Sequence, residues 1–119
     1  MIRIVTESMS DFTQEEAKAA DLIVMPLPIR FGMEEYWDDG VSLTQDDFYA
    51  RLRVAKELPK TSQVPVEHYR KCFNRLLENP EDEVLVITGS SKLSGCYQSA
   101  CIAREACHDP ARVTVLDSL

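Results

Sequence analysis

The sequence has little positive charge, few glycines and no long apolar run. Thirteen lysines and arginines face 20 aspartates and glutamates, which gives a formal net charge of −7. This balance excludes nucleic-acid binding by bulk electrostatics, because the phosphates would be repelled. No apolar stretch approaches the roughly 20 residues that span a bilayer. Segment 2–5 directly follows Met1 and predicts a strand, so we expect no signal peptide and a cytoplasmic location.

Disulfide and metal-binding patterns are also missing. The four cysteines have neither C-x-x-C spacing nor the density of a disulfide framework, so we expect reduced thiols. No group of His, Cys and Asp residues has ligand spacing, and Asp38-Asp39-Gly40 is typical of a turn. The sequence therefore predicts neither a metal nor a cofactor.

The chain does have an apolar fraction of 45% over 119 residues, which is enough for one domain with one core. Strand and helix patterns alternate along it. The predicted strands are 2–5, 22–25, 83–88 and 113–116, and the predicted helices begin near Thr13, Thr44, Pro65 and Ser94. Strands separated by helices predict an α/β fold, a three-layer, mainly parallel sheet with helices on both faces.

The pattern changes between the second strand and the second helix. Pro26 and Pro28 confine the following stretch to a sheet edge or a bend. Segments 29–31 and 36–37, joined through Gly32, predict a hairpin that closes at Asp39-Gly40. Between Arg30 and Arg51 there is no basic residue, which predicts a solvated acidic face or, alternatively, the surface of an interaction module. Its acidic residues are Glu34, Glu35, Asp38, Asp39, Asp46 and Asp47.

Polar residues follow three of the predicted strands, at the edge where parallel sheets bind ligands. Thr6-Glu7-Ser8 follows the first strand, Gly89-Ser90-Ser91 the third and Asp117-Ser118 the last. Segment 89–95, Gly-Ser-Ser-Lys-Leu-Ser-Gly, is the richest, because it joins a buried strand to a helix whose free N–H groups favour an anion. The simpler interpretation is that these serines only shape the turn and cap the helix.

Common catalytic patterns do not fit segment 89–95. A P-loop needs a lysine after its second glycine, where this chain has Cys96. A nucleophile elbow needs glycines four positions apart, whereas Gly89 and Gly95 are six apart. Nothing ties His68 or His108 to a serine, so a Ser–His–Asp hydrolase is not predicted.

Two further features carry hydroxyl or thiol groups. Segment 61–63, Thr-Ser-Gln, lies between two prolines and either presents hydroxyl donors from a rigid loop or only leads into the next helix. Cys96 falls in the first turn of a predicted helix, a position that lowers the pKa of a thiol. A packed, inert cysteine is the simpler interpretation.

Taken together, these motifs resemble the DegV family of bacterial lipid-binding proteins. The matching pieces occur in the family's order and cover essentially the whole chain. They are segments 4–8, 26–27, 39–43, 48–49, 59–63, 90–100 and 115–118, with Phe31. The combination of Thr-Ser-Gln with Ser-Ser-x-Leu-Ser-Gly-x-Tyr-Gln-Ser-Ala is specific, although neither piece alone would be. Glu7 stands where the family usually has aspartate, and Cys96 where it usually has threonine.

The resemblance implies a two-lobed, non-catalytic carrier that encloses one long-chain fatty acid, the tail in an apolar tunnel and the carboxylate on hydroxyls. Residues 1–119 would be its N-terminal lobe, with the second lobe absent from this chain, because family members are about twice this length. The implied head-group contacts are Thr61 and Ser94, their neighbours Ser62 and the Gly95 amide, and the adjacent wall Thr6 and Ser8.

The resemblance also implies partners. Some relatives present the fatty-acid carboxylate to a separate fatty acid kinase, and transient contact with a membrane is compatible with such a carrier. The alternative function is an enzyme or sensor for a phosphorylated or carboxylated metabolite at the same serine-rich turn. A carrier needs an apolar lining that leads away from Ser94, whereas a metabolite site would close in a small polar pocket.

Overall fold

The computed structural model describes residues 1–40 and 43–118. Val41 and Ser42, within the matching segment 39–43, and Leu119 lie outside the described residues. In chain order the elements are β1 (Ile2–Glu7), α1 (Gln14–Ala19), β2 (Leu22–Met25), β3 (Pro28–Phe31), β4 (Glu34–Trp37), α2 (Gln45–Val54), β5 (Lys60–Thr61), α3 (Val66–Leu76), β6 (Glu83–Thr88), α4 (Cys96–Ala106) and β7 (Val113–Asp117).

The main sheet confirms the predicted α/β class. Its four strands are parallel and lie in the order β2-β1-β6-β7. The chain moves from β1 to β2 in one direction across the sheet and from β6 to β7 in the other. Right-handed crossovers therefore put α1 and α4 on opposite faces. The carboxyl ends of β1 and β6 form the switch point, where sheets of this kind bind ligands.

The core lies between this sheet and the pair α3–α4. Tyr69 and Phe73 of α3 are fully buried, with ring centroids 5.7 Å apart. Burial alternates along β6: Val84 and Val86 are buried, whereas Leu85 and Ile87 are half-buried. Consecutive apolar residues are typical of a strand covered on both faces, but the helix pair covers one face of β6 more completely.

The helix starts follow local hydrogen bonding. Thr13 and Glu16 form the predicted capping box of α1, with the Glu16 N–H donating to Thr13 Oγ1 at 3.1 Å. Thr44 caps α2 in the same way, accepting from the Asp47 N–H at 3.1 Å. The start of α4 differs from the prediction, because the helix begins at Cys96 and not at Ser94.

A second sheet, of three antiparallel strands, has the order β4-β3-β5. The predicted hairpin is its first part, and Gly32 makes the turn with a φ of +59°. Residues 59–63 were predicted as a loop, but Thr61 and Lys60 pair with Ile29 and Arg30 as β5. A two-residue strand has no apolar periodicity, so only the partner strand reveals it.

Within residues 1–40 and 43–118, no helix is both long and apolar enough to cross a bilayer.

Candidate functional site

The carboxyl ends of β1, β6 and β7 meet as the sequence predicted, and carboxylates join them. Glu7 Oε1, at the end of β1, accepts a hydrogen bond from the Gly89 N–H at 2.8 Å. Asp117 Oδ1, at the end of β7, accepts from the Ser91 N–H at 3.1 Å. The turn 89–95, which follows β6 between them, is therefore held from both sides.

Ser90 and Ser94 accept hydrogen bonds from most of the other amides of the turn, through backbone or side-chain oxygens. The N–H groups of Leu93 and Ser94 donate to the Ser90 carbonyl oxygen at 2.9 and 3.1 Å. The Lys92 N–H donates to Ser90 Oγ at 3.2 Å, and the Cys96 N–H donates to Ser94 Oγ at 3.2 Å. The simpler interpretation of these serines, as turn-shaping residues, thus describes part of what they do.

Three amides at the start of α4 remain open. The N–H groups of Gly95, Tyr97 and Gln98 have no acceptor in the part of the chain that the structure describes. The hydroxyl oxygen of half-buried Ser94 accepts from Cys96, which leaves its proton free to donate. A positive helix end with several open donors favours an anion such as a carboxylate.

The Thr-Ser-Gln segment lies against this helix start. A methyl group added to Gly95 would meet Gln63 Cδ at 3.2 Å and Gln63 Oε1 at 3.3 Å. Thr61 is exposed on β5, and the Ser62 N–H donates to the Pro28 carbonyl oxygen at 3.3 Å. The fold thus brings together the two segments that the sequence analysis selected.

Thr6 and Ser8 lie on the other side of the switch point, and both are buried. Ser8 Oγ accepts from the Leu27 N–H at 3.0 Å. Burial raises the pKa of Asp38, and a hydrogen bond with the Ser8 side chain opposes that rise. The Ser8 hydroxyl therefore ties the end of β1 to the chain after β2.

Two polar side chains, those of Glu7 and Tyr69, are buried, although the sequence indicated no site role for either. Glu7 is 1% exposed and Tyr69 is fully buried. Glu7 Oε2 and Tyr69 Oη have no hydrogen-bond partner in the described residues. Burial raises the pKa of Glu7, and the hydrogen bond from the Gly89 N–H partly opposes this rise. Burial is also the largest cause of the raised pKa of Tyr69, to which the nearby Cys96 and Glu7 add. The sequence did carry one indication of this: Glu7 is an acidic residue at the end of a buried strand, with no basic residue next to it.

Two cavities lie away from the start of α4. One, of about 130 Å³, is lined by Thr61 and Ser62 together with Pro28, Ile29, Arg30, Glu35 and Lys60. The other, of about 400 Å³, lies at the end of α2 and is lined by Phe31, Gly32, Arg51, Val54, Ala55, Lys56 and Glu57. The smaller one is below the roughly 300–1,000 Å³ typical of ligand pockets, and the larger one contains no predicted head-group residue.

Metal chemistry has no visible support here. Across residues 1–40 and 43–118, no three His, Cys, Asp or Glu side chains are grouped so that they could hold an ion. Cys72, Cys96, Cys101 and Cys107 are free thiols, and all but Cys101 are buried.

Comparison with known proteins identifies the family. The sequence model of the DegV family, described as uncharacterised proteins, matches residues 1–119. A DegV domain-containing protein of Caldanaerobacter subterraneus is 39% identical over 117 residues, which are 98% of this chain and 40% of that protein.

Two solved structures are also similar. A stearic acid-binding protein from Eubacterium ventriosum has a TM-score of 0.88 at 32% identity, over 99% of this chain and 41% of that one. A fatty-acid-binding DegV family protein from Thermus thermophilus has a TM-score of 0.83 at 34% identity, over 98% and 40%. This chain therefore spans about 40% of the length of the relatives it matches, and it belongs to the DegV family.

Proposed function

We propose that this lobe binds the carboxylate of a long-chain fatty acid and does no chemistry on it. Thr61 and Ser94 hold the carboxylate through their hydroxyls, and Ser62 and the Gly95 amide lie beside it. Thr6 and Ser8 belong to the wall of the site. The observation that carries the proposal is the set of open donors at the start of α4, in a family whose solved members include fatty-acid binders.

The donor set suits a carboxylate that must also be released. Hydroxyl and amide donors stabilise a carboxylate by roughly 1.5–3 kcal/mol for each charge-assisted hydrogen bond. A lysine or arginine would neutralise it further, and Lys92, the cation of the turn, is an exposed residue. We propose that the carboxylate held in this way is presented to a fatty acid kinase, as the family resemblance implies.

The acyl tail supplies most of the affinity in this proposal. Burying about sixteen carbons at ~0.8 kcal/mol per methylene gives on the order of 10 kcal/mol before entropy is subtracted. The head group then fixes the orientation. Neither of the two cavities described above is lined by residues from the start of α4. We therefore propose that further protein helps to enclose the tail, since this chain spans only 41% of the stearic acid-binding protein it resembles.

Native mass spectrometry of the full-length gene product tests the proposal. We expect a co-purified fatty acid, or uptake of added palmitate or oleate by protein that has been stripped of lipid. If the measured mass remains that of the protein without lipid, and neither fatty acid is taken up, the proposal is wrong.

The head-group assignment has its own test. Thr61→Ala and Ser94→Ala should each weaken palmitate retention about tenfold, the effect of one charge-assisted hydrogen bond, while the melting temperature changes little. Ser91→Ala is the matched control, because Ser91 is an exposed serine of the same turn. Equal retention in both variants and the control would mean that the head group lies elsewhere.

The alternative function is an enzyme or sensor for a phosphorylated or carboxylated metabolite at the same turn. The open amides of Gly95, Tyr97 and Gln98 would serve a small anion equally well. Binding of a short acid such as acetate or of inorganic phosphate, with no gain from a longer acyl chain, would favour this alternative over the carrier.

A further inference from the structure

We propose that Glu7 is a specificity-determining residue of the head-group site, one that favours a singly charged carboxylate over a doubly charged phosphate. This inference rests on the proposed function, because it concerns the same site. It begins from the hydrogen bond at the switch point, where Glu7 Oε1 accepts from the Gly89 N–H at 2.8 Å. The Gly89 N–H is therefore not free to donate to a bound anion, because it already donates to Glu7.

Glu7 also positions the turn. A methyl group added to Gly89 would contact Met9 Cε and lie 3.2 Å from Glu7 Oε1, so the carboxylate lies directly against the backbone where the turn begins. Asp117 holds the Ser91 amide from the opposite side. Glu7 and Asp117 thus remove two amides of the turn from those that could bind an anion.

Solvent screens the charge of Glu7 only weakly, because the side chain is buried. Glu7 is 1% exposed, and no cation pairs with it in the described residues. Its carboxylate accepts from the N–H of Gly89, directly after β6, and the charge of Glu7 helps to raise the pKa of Tyr69 in α3. Tyr69 and Cys96 belong to the same buried core, and the turn that Glu7 holds at Gly89 leads into α4, whose start carries the open amides.

Repulsion from a fixed negative charge doubles when the ligand carries two charges instead of one. An ionised Glu7 therefore penalises a phosphate more than a carboxylate. Burial raises the pKa of Glu7, so the penalty for either anion is relieved when the pH falls and the side chain takes up a proton.

The test compares two ligands with the same tail, palmitate and hexadecyl phosphate, on the full-length gene product at about pH 8, where the phosphate is mostly a dianion. The wild type should bind palmitate at least about tenfold more tightly. Glu7→Gln should bring the two affinities to within about threefold, because the amide still accepts from Gly89 but carries no charge. Glu7→Asp, which keeps the charge, should keep the preference.

Glu83→Gln is the control, since it removes one exposed carboxylate at the opposite end of β6 and should leave the ratio unchanged. A folded Glu7→Gln variant with the wild-type ratio would overturn the inference. A wild type that binds neither ligand would instead overturn the proposed function.

A second measurement uses the wild type alone and so does not depend on whether Glu7→Gln folds. Hexadecyl sulfonate keeps one charge at every pH of interest, so its affinity should rise as the pH falls through the titration of Glu7. The Gly89 amide resonance should shift over the same pH range, because its hydrogen-bond acceptor is being protonated. A flat sulfonate affinity across that range would contradict the inference.

Discussion

At the scale of single residues, the unusual feature is a carboxylate in an apolar setting. Glu7 has one oxygen on the Gly89 amide and the other without a partner in the described residues. Burial raises its pKa, so the folded protein binds a proton at this site more tightly than the unfolded chain does. Folding stability must therefore depend on the protonation of Glu7.

The sign of this dependence is fixed by linkage. Below the ordinary glutamate pKa of 4.5, Glu7 is protonated in both states and its full contribution is present. As the pH rises through the folded-state pKa, that contribution is lost. Glu7→Gln removes the loss, so the free energy of unfolding of the variant, relative to wild type, should increase as the pH rises from 4.5 towards neutrality.

Chemical denaturation of both proteins at several pH values checks this difference. Asp38 has a pKa raised by burial as well, but it is unchanged in the variant and cancels in the comparison. A difference that stays constant with pH would show that Glu7 titrates alike in the folded and unfolded states.

At the scale of elements, the site depends on how the 61–63 segment meets the start of α4. Gly95 has a φ of −82°, which any residue can adopt, so its backbone does not require glycine. The contact with Gln63 does restrict it, because an added methyl group would approach Gln63 Cδ to 3.2 Å. The absence of a side chain at residue 95 lets the two segments that we propose for the head group lie close together.

Gly95→Ala should therefore displace Gln63 by a few tenths of an ångström and weaken palmitate binding more than it lowers the melting temperature. Gln63→Ala removes the obstructing atoms, so the double variant should recover part of the affinity that Gly95→Ala loses. The coupling in this double-mutant cycle is the quantity to measure. Strictly additive effects would show that the contact does not position the site.

At the scale of the whole molecule, the proposed head-group site at the start of α4 lies apart from the two cavities described above. The cavity that Thr61 lines has a volume of about 130 Å³. This is less than the roughly 300–1,000 Å³ typical of ligand pockets. Leu93 is 86% exposed beside Ser94, an apolar side chain next to the proposed carboxylate. Both observations agree with a site that is completed by further protein, since the relatives are longer.

Where the gene encodes residues past 119, the full-length product should therefore retain palmitate at least about tenfold better than residues 1–119 alone. Mass spectrometry of the two products after the same delipidation and loading checks this. Circular dichroism of the shorter one confirms that its sheet and helices have formed. Equal retention by a folded shorter product would show that this lobe encloses the tail by itself.

The local features were predictable because neighbouring residues decide them. The capping box of Thr13 and Glu16 and the bounds of β6 follow from spacing and apolar runs alone. The pairing of β5 was not predictable, since Thr61 becomes part of a strand only because Ile29 lies opposite it. The hydrogen bond between Glu7 and Gly89 was not predictable for the same reason, because the two residues are distant in the sequence.

The sequence by itself determined the fold class, the serine turn at the end of β6 and the resemblance to one family, because these depend on order and spacing along the chain. The tertiary structure decided which amides of the turn are open. Five of its N–H groups, those of residues 89 and 91–94, are taken by nearby oxygens, as is that of Cys96, and two of the acceptors are carboxylates from neighbouring strands. Only folding brings Glu7 Oε1 within 2.8 Å of the Gly89 nitrogen, 82 residues away, and so places a carboxylate at the turn.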